Sequence, residues 1–264
     1  MRNALWVQLK TSSALNLQYR AANFIWLIGA VLEPVIYLIV WDTVAQVQGG
    51  DVGGFTSSDF AAYFLALMVV DRLTFTWIMW EYEFMIREGT LARRLMRPLH
   101  PFWVDVMDNL AYKALIMVVL VPTVIVLVLA FRPTFETTFL DLLAFLPALI
   151  LAFVMRFCLE WTLAMAAFWT TRTSAINQVY FVIFLFFSGR LAPLELLPSF
   201  AQTLASLLPF RWMLSFPLDV LLGRLSAPEI ALGYLAQLGW TGIILLVLPQ
   251  AWRVGVKQFS AVGT

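Results

Sequence analysis

The chain has 264 residues, of which 62% are hydrophobic and only 12% charged, and its mean hydropathy is +0.85. A soluble domain of this size normally carries about 25% charge, so a bulk-soluble enzyme is excluded. A net charge of +1 without a basic face excludes a nucleic-acid-binding domain. One Cys rules out an intrachain disulfide and one His leaves no nitrogen-rich metal cluster. The composition is that of a polytopic, all-α membrane protein.

A helix needs about 20 apolar residues to cross about 30 Å of hydrocarbon. Taken in chain order, the sequence predicts six such spans. They are 24–41, 60–80, 110–131, 139–169, a short one at 175–188, and 230–252. Residues 1–23 hold Arg2, Lys10 and Arg20 and lack a cleavage site. They read either as an amphipathic interfacial helix, with Leu5, Trp6, Leu9, Leu15 and Leu17 as its apolar contacts, or as an extension of the first span. Residues 189–223 contain Pro193, Pro198, Pro209 and Pro217 among apolar residues. That pattern reads as short re-entrant or surface-lying helices, with two short full crossings as the alternative.

Basic residues gather in 1–23, in 81–107 (Arg87, Arg93, Arg94, Arg97), at Arg172 and in the tail (Arg253, Lys257). The loop 42–59 carries only Asp42, Asp51 and Asp59. This bias places both termini on the cytoplasmic side. Trp26, Trp41, Trp80, Trp169 and Trp252 fall at span ends, where interfacial aromatics sit. GGDVGG at 49–54 is a flexible turn: no strand precedes it and no Gly-Lys-Ser/Thr follows, so it is not a phosphate loop.

Six ionisable residues stand out inside predicted spans: Glu33 before Pro34, the adjacent Asp71 and Arg72, Lys113, and Arg156 with Glu160 four residues on. A central Asp or Arg costs roughly 2.5–3.5 kcal/mol to insert, so these groups turn inward. Arg156 and Glu160 share a helix face and are spaced to pair. Two readings stand: a buried network that locks spans together, or a polar lining that changes between states or meets cargo. Lys113, near a span end, also has the option of snorkelling. Asp71 and Glu160 both have arginine in reach, which weakens a proton-relay reading. Cys158 is an apolar filler and His100 an ordinary loop residue. Phe64, Phe75 and Tyr180 are aromatic candidates for a cargo path. No nucleophile, base and orienting group occur together, so no catalytic residue is assigned.

The segment EYEFMIREGTLARRLMRPLHPFW, from Glu81, is the most informative. Gly89 permits a bend, Thr90 can cap a short helix, and Pro98 ends it. Leu91 and Leu95 share its apolar face; Arg93, Arg94 and Arg97 supply charge. Spacing alone leaves two uses: docking in a groove of a soluble partner, or resting on anionic lipid.

Several of these residues together resemble a known family. Tyr82-Glu83, Ile86-Arg87-Glu88-Gly89, Leu91, Leu95 and Arg97-Pro98 are similar to the internal loop of ABC-2 type exporter permeases. The likeness is to the bacterial multidrug-permease branch once classed as a domain of unknown function. Ser188-Gly189, Pro193-Leu194, Pro198, Leu208-Pro209-Phe210, Pro217 and Leu222-Gly223 are similar to that branch between its last spans. So is the ending Phe259-Ser260-Ala261-Val262-Gly263.

The resemblance implies one ABC-2 transmembrane domain over 1–264, with six spans and an interfacial N-terminal helix. It also implies a cytoplasmic coupling helix in 81–107 and external re-entrant helices in 189–223. Glu83, Arg87, Glu88, Gly89, Leu91, Arg94, Leu95 and Arg97 would then couple the chain to an ATPase. The implied partners are two ATP-binding cassette subunits and a second permease, identical or sister, in the bacterial inner membrane. The chain itself holds no cofactor; ATP and Mg belong to the partner subunits. The function implied is ATP-driven export of a hydrophobic or amphipathic substrate. The alternative is an ion-coupled carrier needing no ATPase, although 24–131 and 139–252 show no repeat of the kind such carriers often have.

Overall fold

The computed structural model describes residues 2–170 and 172–259, apart from the side chains of 2, 20–24, 26, 27 and 30. It is almost entirely helical. α1 (Arg2–Gln18) is followed after Tyr19 by α2 (Arg20–Val47), and a hairpin of β1 (Asp51–Val52) and β2 (Phe55–Thr56) leads into α3 (Ser57–Thr74). α4 (Ile78–Arg87), α5 (Leu91–Leu95), α6 (Pro101–Phe131) and α7 (Phe139–Ala164) come next. Then follow α8 (Ser174–Phe187), the short helices α9 (Ser199–Leu207), α10 (Pro209–Met213) and α11 (Ser215–Leu221), and finally α12 (Ala227–Gly255).

Among the described residues, four helical segments are long and apolar enough to cross a membrane: Ser57–Arg87, Pro101–Phe131, Phe139–Phe168 and Ala227–Gln258. This corrects the expected six. The predicted fifth span forms as α8, whose 14 residues reach about 21 Å, short of about 30 Å. The predicted first span lies within α2, and several of its side chains fall outside the described residues. The other expected spans match with moved boundaries: the third starts at Pro101 rather than 110, and the sixth runs over Ala227–Gln258 rather than 230–252. The second does not end at Trp80 but runs on to Arg87, because Tyr82, Glu83 and Met85 are buried within the bundle.

The expected coupling and re-entrant helices are corrected as well. A helix forms at α5, but it is five residues long and its Leu91 is turned into the core rather than outward. The stretch 189–223 folds as short helices, of which α10 and α11 pack on α7, and nothing marks them as re-entrant. α1 does not stand alone at an interface: it lies along α6, where Gln8 Nε2 donates to Asp108 Oδ1 at 3.0 Å and Ser12 bonds the same carboxylate. The closing residues 260–263 lie outside the described residues.

Three of the spanning helices start with the same device. Thr56 with Asp59, Thr138 with Asp141, and Ser226 with Glu229 form capping boxes, each placing an acid in the first turn beside the helix's positive end. These starts lie together. Ser58 and Thr134 hydroxyls are 2.9 Å apart, Thr137 Oγ1 donates to Leu221 O at 2.6 Å, and Arg224 reaches Asp59 at 3.8 Å. The GGDVGG loop is not loose: Gly53 and Gly54, at φ 59° and 86°, make the tight turn of the hairpin.

α3 sits at the centre, with Phe60 through Met68 buried. It packs on α2, α6, α7 and α11. At the opposite end of the bundle, Trp161 gathers Tyr82, Phe102 and Trp252 at ring distances of 5.8, 5.4 and 5.1 Å. His100 belongs to this group, correcting its reading as an ordinary loop residue. Its Nδ1 accepts from Phe102 N at 3.2 Å, capping α6, and its ring lies 4.8 Å from that of Trp252.

α12 meets α11 where Gly233 leaves room for Phe216; a Cβ there would lie 2.0 Å from the buried ring. Gly239, on the same helix, has nothing within 4 Å of its Cβ position. Gly233→Ala is expected to lower thermal stability in detergent by about 1–3 kcal/mol through overpacking. Gly239→Ala is expected to raise it by about 0.5–1 kcal/mol. Scanning calorimetry of the two variants checks the pair.

Candidate functional site

The helix from Ser57 to Arg87 is interrupted. α3 stops at Thr74 and α4 starts at Ile78, with Phe75 extended at φ −55° and ψ 141°. Broken backbone inside a membrane protein needs partners from neighbouring helices. The Phe75 carbonyl accepts from Lys113 Nζ at 2.7 Å, and Lys113 also donates to Asn109 Oδ1 at 2.5 Å. The Thr76 hydroxyl bonds the Glu160 carboxylate.

Arg156, with no exposed surface, organises the rest. Its Nε donates to Glu160 Oε1 at 2.9 Å, and one terminal nitrogen donates to Asp71 Oδ1 at 2.8 Å and Thr74 Oγ1 at 3.1 Å. The guanidinium lies 4.3 Å from the Phe184 ring centre and 5.5 Å from that of Phe75. Tyr180 OH donates to Glu160 Oε1 at 2.9 Å. Asp71 also accepts from Arg72 at 2.7 Å. Arg190 donates to Glu33 at 2.6 Å and stands 3.9 Å from Asp71.

All six ionisable residues singled out within predicted spans therefore meet at the break: Asp71, Arg72, Lys113, Arg156 and Glu160 directly, and Glu33 through Arg190. Lys113 does not snorkel; it is buried. Sequence reasoning missed Arg190, which lies outside every predicted span, and the two threonines flanking Phe75. Of the aromatic candidates, Phe75 sits at the break, Tyr180 is a hydrogen-bonding member, and Phe64 is core.

A second cluster fixes the turn after α4. Buried Asp105 accepts from Tyr82 OH at 2.8 Å and Trp161 Nε1 at 3.0 Å, and it pairs with Arg94. Arg94 also reaches Glu81 at 3.2 Å and Asp108 at 3.8 Å. Burial works against the charged guanidinium, but the carboxylates of Asp105, Glu81 and Asp108 outweigh it and hold the Arg94 pKa above its ordinary value. Asp105 was missed because it reads as one more acid in a polar loop.

The eight residues expected to couple to a partner divide. Glu83 is buried and accepts from Thr173 Oγ1 at 2.8 Å and Asn177 Nδ2 at 3.5 Å. Leu91 and Arg94 face inward, and Leu95 is half-buried. Gly89, at φ 67°, makes the bend. Arg87, Glu88 and Arg97 are exposed, alongside Arg93 and Met96, which is 79% exposed.

Beside the break lies a cleft of about 390 Å³ between α1, the two half-helices and α6. Arg72, Phe75, Trp77, Glu81, Asp108 and Tyr112 are among its lining residues. Among the described residues, no group of His, Cys, Asp and Glu is placed to hold a metal.

Outside the four long segments, Asp219 is buried and accepts from Ser215 Oγ at 2.9 Å. Burial first, and then the negative charge of Glu195, push its carboxyl up to about 7, against the opposing pull of Ser215, Arg211 and Arg224.

The family described as ABC-2 family transporter protein matches residues 31–263. No curated protein matches the chain.

Two outcomes follow from the buried charges. Arg156→Met strands Asp71 and Glu160 without their shared cation and is expected to cost about 3–5 kcal/mol. In a double-mutant cycle with Asp71→Asn, the second change should recover part of that loss, read as thermal unfolding in detergent. For Asp219 the folded carboxyl holds its proton at higher pH than the unfolded one, so its stabilising share is complete below about pH 4 and is lost as pH rises through about 7. Asp219→Asn should flatten that decline in a series of melting curves across the same window.

Proposed function

The chain belongs to the ABC-2 family of transporter proteins, and on that premise we propose that it is the membrane subunit of an ATP-driven exporter. Its role in membrane transport follows from the family; the direction, the energy source and the class of cargo are our reading. Two ATP-hydrolysing subunits would bind one end of the bundle in the cytoplasm. A second permease, identical or sister, would complete a path for a hydrophobic or amphipathic molecule. The setting is a bacterial inner membrane with both termini inside.

The observation that carries this reading is the construction of the turn between Gly89 and Pro98. Its outer side offers Arg93, Met96 and Arg97, with Phe84, Arg87 and Glu88 next to them, all exposed. Its inner side is fastened by Leu91 and by Arg94 to Asp105. A partner gripping the exposed side would therefore move a rigid unit rather than a loose loop. That unit continues into α4, which leads directly to the break and its charge network. Closure of an ATPase pair would draw two such turns together and tilt the half-helices about Phe75–Trp77. Opening after hydrolysis would return them.

An ion-coupled carrier would use a carboxylate that changes its proton without a cation beside it. Asp71 and Glu160 each lie within 2.9 Å of Arg156, so neither stands without a cation beside it.

The division of the turn into two sides gives the test. Met96→Asp combined with Arg97→Glu should leave the melting temperature unchanged. It should also weaken retention of the ATPase subunit on affinity purification by about tenfold or more, as loss of a central interface anchor does. Leu91→Ala should instead lower the melting temperature, at about 2–5 kcal/mol for a buried leucine. Retention unaltered by the surface pair, with transport intact, would overturn the docking assignment.

A further inference from the structure

Asp219 is a buried carboxyl without a counter-ion. Asp71, Asp105 and Glu160 are buried too, and each is paired with a guanidinium. Asp219 forms no ion pair among the described residues. Its Oδ2 accepts from Ser215 Oγ at 2.9 Å, and its Oδ1 has no hydrogen-bond partner there. Every neighbouring element leaves it so. α10 brings Arg211, and the chain after α11 brings Arg224; both attract it without pairing, while Glu195 repels it. α3 brings Tyr63, whose hydroxyl donates to Gly189 O at 2.6 Å. α7 brings Asp141, whose carboxylate lies by Gly223 just past α11 and is held in the Thr138 cap. α12 brings Tyr234, whose hydroxyl is spent on Ala144 O. Ionised, Asp219 is a buried charge with a single donor; protonated, it is neutral and tolerable. A proton is also a ligand that needs no cavity.

The one partner of this carboxyl touches a bend. Gly189, at φ 86°, turns the chain out of α8, and a Cβ there would lie 3.2 Å from Ser215 Cβ and 2.6 Å from the Tyr63 hydroxyl. Ser188, beside it, is fully buried, with its own hydroxyl unanswered among the described residues. The next residue, Arg190, donates to Glu33 at 2.6 Å and stands 3.9 Å from Asp71. The bend 188–190 therefore joins Ser215 and Asp219 to the charge network at the break.

We propose that Asp219 is a proton-binding site that works as a latch on this bend. With the proton on, the neutral carboxyl lets α11 seat against α3 and Gly189. When the O–H bond breaks, the proton passes to water at the end of the bundle that carries the capping boxes. The carboxylate left behind pulls α11 toward Arg211 and Arg224. Ser215 then moves off Gly189, and Arg190 is freed to leave Glu33. On the proposed orientation that end faces outward, so external acidity holds the latch shut. The inference goes beyond the transport reading, because the latch belongs to this chain alone.

Infrared difference spectra of the full chain in detergent, titrated in pH, read the proton directly. The part of the protonated-carboxyl C=O stretch that Asp219→Asn removes should fade with a midpoint near pH 7. Ser215→Ala, which takes away the donor to the ionised form, should raise that midpoint by about half a unit to one unit, the worth of one hydrogen bond. Glu195→Gln, which takes away a repelling charge, should lower it. Hydrogen–deuterium exchange at 188–191, corrected for its intrinsic pH dependence, should quicken across the midpoint in the wild type and stay level in Asp219→Asn. A titrating band that survives Asp219→Asn whole, a midpoint that neither Ser215→Ala nor Glu195→Gln moves, or exchange at 188–191 that is the same in wild type and Asp219→Asn would overturn the assignment.

Discussion

A guanidinium with no exposed surface inside an apolar bundle is tolerable only where its charge is met by partners. Arg156 has two carboxylates, a threonine hydroxyl and two aromatic faces around it, while its second terminal nitrogen has no hydrogen-bond partner among the described residues. Its partners come from elements far apart in sequence, so satisfying it fixes how α3 and α7 sit and sets Phe184 of α8 against them. The same requirement makes the interruption at Phe75–Trp77 possible. Thr74, Thr76 and the Phe75 carbonyl would be orphaned in hydrocarbon, but here they bond Arg156, Glu160 and Lys113. Charge and broken backbone stabilise each other, and neither would be acceptable alone.

The segment Ser57–Arg87 is thus a spine with three polar fastenings. At its start, the Thr56–Asp59 cap and the Tyr63 bond to Gly189 O, at 2.6 Å, tie it to the capped end of the bundle. At its middle is the Arg156 network. At its finish, Tyr82 and Glu83 tie it to Asp105 and to Thr173. The stretches between are apolar packing, which is non-directional and deformable by small shifts. The polar points are discrete and hold or release as units. In a transporter that occupies more than one arrangement, this combination would let motion concentrate at the interrupted backbone rather than spread along a continuous helix.

Much of this was legible in the sequence. Four of the spans followed from apolar length alone, and the cost of burying charge singled out the residues that meet at the break. The i, i+4 spacing of Arg156 and Glu160 gave their pairing directly. The failures have physical causes. Span five was expected at Ala175–Ser188, short but apolar apart from Asn177, Gln178 and Ser188, and apolar composition alone does not say whether so short a helix crosses. Leu91 and Leu95 share a helix face, but periodicity cannot say whether that face meets a partner or the chain's own core; here it is the core. Asp105 lay in the loop 81–107 and Arg190 in the apolar, proline-containing stretch 189–223, and only the folded chain brings them to Arg94 and Glu33. Thr74 and Thr76 carried no signal at all, since a helix break without proline or glycine leaves no mark in the sequence.

On the proposed reading, the turn between Gly89 and Pro98 and the hinge at Phe75–Trp77 move as one device. Hydrogen–deuterium exchange of the chain assembled with its ATPase partner tests it most directly. Amides at 75–80 should change their exchange rate when the partner is trapped with ATP, in step with those at 89–97, while α12 stays unchanged. Nucleotide-dependent exchange at the turn with none at the hinge, in an assembly that still transports, would contradict it.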